Sequence, residues 1–113
     1  MGAMNDLIQR ITEAIFRQEG EPALVLNAGN CRFAPWLPDP VIKNGFWVPP
    51  SRQAGIAGAA HVVALRIAEG QSLTQLIAAW APPEDHNQTA KYIQNVKEWA
   101  NIPNENVPLW NFI

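Results

Sequence analysis

The chain predicts a mainly α (α+β) domain: an N-terminal helix, an irregular segment containing a hairpin, and then a helical bundle. Three observations predict it. Apolar residues recur every three or four positions at Leu7/Ile8, Ile11 and Ile15, at Leu73, Leu76, Ile77 and Trp80, and at Tyr92, Ile93, Val96 and Trp99. More than half of the ten prolines fall between Glu21 and Pro50, a stretch that also holds Asn27, Gly29, Asn30, Asn44 and Gly45. Helix-capping signals stand at the edges of the periodic stretches.

The first helix is expected from Asn5 or Asp6, either of which can cap it, to about Gln18, with Gly20 as its stop. Met1-Gly2-Ala3-Met4 reads as a tag remnant, leaving residues 5–113 as a single domain. The proline-rich segment reads as loop with short extended pieces at Val25-Leu26, Cys31-Arg32-Phe33 and Phe46-Trp47-Val48, and Lys43-Asn44-Gly45-Phe46 has the form of a hairpin turn. Ser51 then caps a second helix that ends near Gly70. Its Ala54, Gly55, Ala57, Gly58, Ala59 and Ala60 mark it as the central helix of a bundle, because small side chains admit a neighbouring backbone. Ser72-Leu73-Thr74-Gln75 is a capping box opening a third helix through Trp80, which Pro82 and Pro83 break. A fourth helix is expected from about Gln88 to Ala100. The tail Val107–Ile113 is too apolar to float free and should pack back onto the body.

Composition narrows the function. The chain has 113 residues, enough for one core, with 48% hydrophobic and 16% charged residues. A net charge of −2 leaves no basic footprint for nucleic acid. No apolar run is long enough for a transmembrane segment. Neither is there a signal peptide in this N-terminus, so an export signal removed upstream remains open. Cys31 is the one cysteine, read as a small buried residue rather than a nucleophile. His61 and His86 are isolated, so neither a metal site nor a cofactor is expected.

Glu19 is the candidate for chemistry. Four residues beyond Ile15, it continues the apolar stripe of the first helix and stands at the negative end of the helix dipole. Desolvation and the dipole both favour the protonated carboxyl, which is what a general acid needs. The competing reading is a solvent-facing Glu ahead of a glycine cap. Of the ten carboxylates, Asp6, Glu13, Glu69 and Glu98 fall on solvated helix faces. Asp39 is a candidate second carboxylate, against the plainer reading of a loop turn in Leu37-Pro38-Asp39-Pro40. Flat aromatic faces and side-chain amides are groups that can line a binding cleft. Trp36, Phe46, Trp47 and Tyr92, with Asn27 and Asn30, are the candidates, whereas Trp80, Trp99 and Trp110 read as core or tail packing.

Four blocks, in order, resemble a known family. They are Phe16-Arg17-Gln18-Glu19-Gly20, then Leu26-Asn27-Ala28-Gly29-Asn30-Cys31-Arg32-Phe33, then Phe46-Trp47-Val48 followed by Gln53-Ala54-Gly55, and finally Trp80-Ala81-Pro82-Pro83 through Tyr92 to Val96. Over about residues 8 to 100 the chain looks like the small lysozyme-like, lytic-transglycosylase-like domains of phages and prophages. In that family a helix ends in a catalytic Glu followed by Gly. Asn-Asn-Pro-Gly-Asn-Leu-Arg forms the turn below it, and a Tyr of the last helix reaches the active site. Leu26 and Ala28 depart from the turn pattern.

The resemblance implies cleavage of peptidoglycan glycan strands, a muramidase or lytic-transglycosylase activity. Glu19 would protonate the glycosidic oxygen and then act as base on the sugar's own hydroxyl, with the substrate's N-acetyl group assisting; hydrolysis by water stays open. Lacking an obvious second carboxylate, the chain fits a single-acid mechanism. Such a protein acts in the periplasm or cell wall, delivered by a phage, a virion or a secretion machine. Two alternatives stand beside this one: a catalytically weak lysozyme-like module that binds glycan or serves as a structural part of a virion or injection machine, and a helical protein–protein interaction domain.

Overall fold

In the computed structural model, residues 2–19, 41–43, 46–48, 51–80 and 88–113 are described. Helices dominate them: α1 (Gly2–Glu19), α2 (Arg52–Ala68), α3 (Leu73–Trp80) and α4 (Thr89–Ala100), followed by a short 3-10 turn at Leu109–Phe112. Two three-residue strands, β1 (Val41–Lys43) and β2 (Phe46–Val48), pair antiparallel with Lys43 opposite Phe46, as the Asn-Gly dipeptide between them anticipates. The strand reading at Phe46-Trp47-Val48 therefore holds, and β1 is its partner. The two other strand candidates lie outside the described residues.

α1 begins three residues earlier than expected. Neither Asn5 nor Asp6 caps it, and Gly2-Ala3-Met4 form its first turn, with Met4 packed against the core. Nothing in those three residues breaks a helix, and the apolar period simply extends back from Leu7 to Met4. Asp6, freed from capping, pairs with Arg10 one turn on, Nε to Oδ2 at 2.9 Å. Leu7, Ile11, Ala14, Ile15 and Phe16 are buried along the inner face.

Among the described residues, α1 packs against both α2 and α4, and α4 against both α1 and α3. The small residues of α2 are not all on its buried face, since Ala54 and Ala60 are half-buried. Gly55, Gly58 and Ala59 are buried, continued by Val63 and Ile67, while Gln53, Ala57 and Leu65 face water. Small side chains allow close approach on the face that uses them and do not by themselves bury the opposite one.

The caps follow their sequence signals. Ser51 Oγ accepts from the Ala54 amide at the start of α2. At its end Gly70 takes φ +81°, with Gly70 N–H donating to Ile67 C=O and Gln71 N–H to Arg66 C=O, a Schellman closure. The Trp110 ring lies over Gly70, 2.8 Å from where a Cβ would stand, so a glycine is required there twice over. In α3 the capping box is reciprocal: Gln75 N–H donates to Ser72 Oγ at 3.2 Å and Ser72 N–H to Gln75 Oε1 at 2.9 Å. Leu73, Leu76, Ile77 and Trp80 are the buried face of α3, as their spacing implied.

α4 buries Tyr92, Ile93, Val96 and Ala100. Trp99, expected inward, is only partly covered, and the Arg17 guanidinium stacks on it 4.2 Å from the ring centre. Asn101 closes α4 in the left-handed conformation, and Arg10 of α1 donates to the carbonyls of Ala100 and Asn101. A cation at that helix end satisfies orphan carbonyls and opposes the dipole. Arg10→Met should therefore cost about 1 kcal/mol, a value kept low because the side chain is partly exposed. Urea unfolding measures it, and an unchanged midpoint would show the cap to be idle.

The tail does pack back. Leu109 is fully buried, its amide donates to Gln71 C=O at 2.9 Å, and Pro108 bridges to Ser72. Upstream, Glu105 C=O accepts from Thr74 N–H, and Glu105 Oε2 pairs with Lys97 Nζ at 3.0 Å. A hydrogen bond from its own backbone, then the Lys97 ammonium, hold the Glu105 carboxyl below its ordinary value of 4.5. The folded state thus favours the carboxylate. Its contribution to stability is complete above the ordinary value and is lost as the pH falls through the depressed one. Stability measured against pH should fall less steeply on the acid side in Glu105→Gln than in the parent; identical slopes would remove the pair from the acid response.

Candidate active site

α1 and α4 run antiparallel, and two polar links fix their register. Arg10 meets Ala100 and Asn101 at one end, and Gln18 Oε1 accepts from Asn95 Nδ2 at 2.8 Å at the other. The last residue of α1 is Glu19, one residue past the Gln18 that meets Asn95 at the middle of α4, and Asn95 is one turn from Tyr92. The α3–α4 pair points the same way. Thr74 at the start of α3 is tied to Glu105 and Asn106 beyond the end of α4, which leaves Trp80 toward the α4 N-terminus.

Carboxylates are accounted for elsewhere. Asp6, Glu13, Glu69 and Glu98 are exposed on helix faces, as expected, and Asp6 and Glu69 pair with Arg10 and Arg66 on their own helices. Glu105 is held by Lys97 at the opposite end of α4. Of the remaining five carboxylates, Glu19 is the last residue of α1, and Glu21, Asp39, Glu84 and Asp85 lie outside the described residues.

Tyr92 is 5% exposed and belongs to the core cluster together with Trp80. Its ring is therefore packing surface, which favours the reading of a core Tyr at helical spacing and leaves the hydroxyl as the part able to serve a site. Trp80 packs in the core as expected, Trp99 is only partly buried against it, and Trp110 stands half exposed over Gly70. Phe46 and Trp47 lie on β2, Trp47 opposite Ile42. Asn27, Asn30, Trp36 and Asp39, with the Glu19 side chain, lie outside the described residues.

Gln18, Asn95, Arg17 and Trp99 are residues of this region that sequence reasoning missed. Asn95 stands three residues after Tyr92, and Gln18 three after Ile15, so each continues an apolar stripe with an amide. That repeated exception was the available signal. Among the described residues no group of three His, Cys, Asp or Glu side chains could hold a metal, and no helix is long and apolar enough to cross a membrane.

An open depression of about 440 Å³ is lined by Gly70, Ser72, Thr74, Gln75, Asn106 and Pro108. It lies at the far end of the α3–α4 pair from Glu19. Its polar groups are engaged with one another, Ser72 with Gln75 and Thr74 with Asn106. It supplies neither an acid nor an aromatic platform. Comparisons with protein-family models, with curated proteins and with solved structures each return no match.

Proposed function

We propose that this chain cleaves the glycan strands of peptidoglycan, with Glu19 as general acid and then general base. The observation that supports it best is the last turn of α1. The helix ends on Glu19, and that turn is fastened to α4 through Gln18 and Asn95, one turn from Tyr92. The order of helix, hairpin and three further helices agrees with the family the sequence resembles. Glu19 protonates the bridging oxygen between sugars. The oxocarbenium-like centre is then captured by the sugar's own hydroxyl, whose proton the Glu19 carboxylate takes, giving an anhydro end. Capture by water gives a reducing end instead.

Peptidoglycan lies outside the cytoplasmic membrane, so the site of action is the periplasm or the cell wall, reached by phage, virion or secretion delivery. Leu26 and Ala28 favour a second reading, a lysozyme-like module that binds glycan and clears it weakly or not at all. Turbidity of purified cell walls separates the two. The parent should clear them and Glu19→Gln should not. Binding without clearing by the parent selects the module. Neither binding nor clearing leaves a helical interaction domain.

A further inference from the structure

Besides the contacts of Arg10, α1 is linked to α4 by the Gln18–Asn95 hydrogen bond. It joins two neutral amides from residues far apart in sequence, in a partly buried position, and it lies one residue before Glu19. Arg17, the residue before it, stacks on Trp99 of the same helix α4. Two consecutive side chains thus hold the final turn of α1, the part of a helix most prone to fray. Phe16 is buried, whereas Arg17 is exposed and Gln18 half-buried, so these two side chains hold the turn by polar and stacking contacts rather than by burial. A frayed last turn would let a carboxyl at position 19 sweep through several ångströms, and proton transfer to a glycosidic oxygen tolerates a fraction of that.

We propose that Gln18 and Asn95 form a brace that sets the position of Glu19, making both of them positioning residues for the glycan-cleaving reaction. The inference rests on the function proposed above. Neither amide touches the substrate; both act through the turn they hold. An apolar residue at either position would contribute packing without direction, whereas the amide pair fixes the rotation of α1 about its axis relative to α4.

The test is a double-mutant cycle of Gln18→Leu, Asn95→Leu and the double variant, assayed on soluble glycan-strand oligomers with circular dichroism and urea unfolding in parallel. Each single variant should lose about tenfold or more in kcat with KM little changed, the size expected when a reacting group is displaced by a fraction of an ångström. The double variant should lose no more than either single one, because both break the same bond. The alkaline limb of the pH–rate profile should also move to lower pH. A loosened turn admits water to Glu19, which favours the carboxylate and so removes the acid form earlier. Amide exchange adds a readout independent of turnover: the amides of Phe16 to Glu19 should exchange faster in Asn95→Leu than in the parent.

Unchanged kcat and pH profile in the folded single variants, or losses that multiply in the double variant, would overturn the brace while leaving Glu19 its role. A parent that cleaves nothing would overturn the proposed function and the brace with it.

Discussion

Glu19→Gln should slow the clearing of purified walls by about a hundredfold to ten-thousandfold, the range that a positioned general acid supplies. The substitution keeps the shape and hydrogen-bonding reach of the side chain and removes only the transferable proton. At the C-terminal end of α1 the dipole disfavours the ionised form of a carboxyl, and an amide has no ionised form to disfavour. The variant should therefore unfold no earlier than the parent and gain up to about 1 kcal/mol. Activity lost together with stability gained is a pattern that a structural glutamate does not give. Clearing within twofold of the parent, measured as the initial fall in turbidity, would take the acid role from Glu19.

Ile11→Ala should be the costliest single truncation in the bundle. Ile11 is completely buried near the middle of α1, and α1 has α2 against one side and α4 against the other. A cavity enclosed by two helices has little room to collapse, which places the loss in the upper part of the range of about 2–5 kcal/mol for this truncation. For a domain of this size that is a large share of about 5–15 kcal/mol. The melting midpoint should fall by roughly 10 °C or more. Leu65→Ala on the outer face of α2, where the side chain is 48% exposed, should stay within about 0.5 kcal/mol. A small loss at Ile11 would mean that α1 is not the shared centre of the core.

The helices were legible where their signals are local. Ser72 and Gln75 name each other as caps three residues apart, and the four buried residues of α3 follow from spacing alone. Gly70 marks the end of α2 because only glycine takes that backbone and admits the Trp110 ring. What escaped depends on partners distant in the chain. Nothing near Arg10 says that it reaches the carbonyls of Ala100 and Asn101. The glycine and alanine content of α2 says that something approaches it, not from how many sides. At the start of α1 the apolar period continuing through Met4 outweighs the capping residues Asn5 and Asp6. The candidate acid was legible as a position at the end of α1. The amide pair beside it needed both helices in view, since Gln18 and Asn95 each pass for a solvated residue until they face one another.

The most direct measurement is mass spectrometry of the soluble products after purified peptidoglycan is incubated with the parent and with Glu19→Gln. Glycan cleavage through Glu19 predicts muropeptides with newly formed sugar ends, anhydro where the sugar's own hydroxyl captures the centre, released by the parent and absent with the variant. Walls left intact by the parent, or the same fragments released by both proteins, would contradict it.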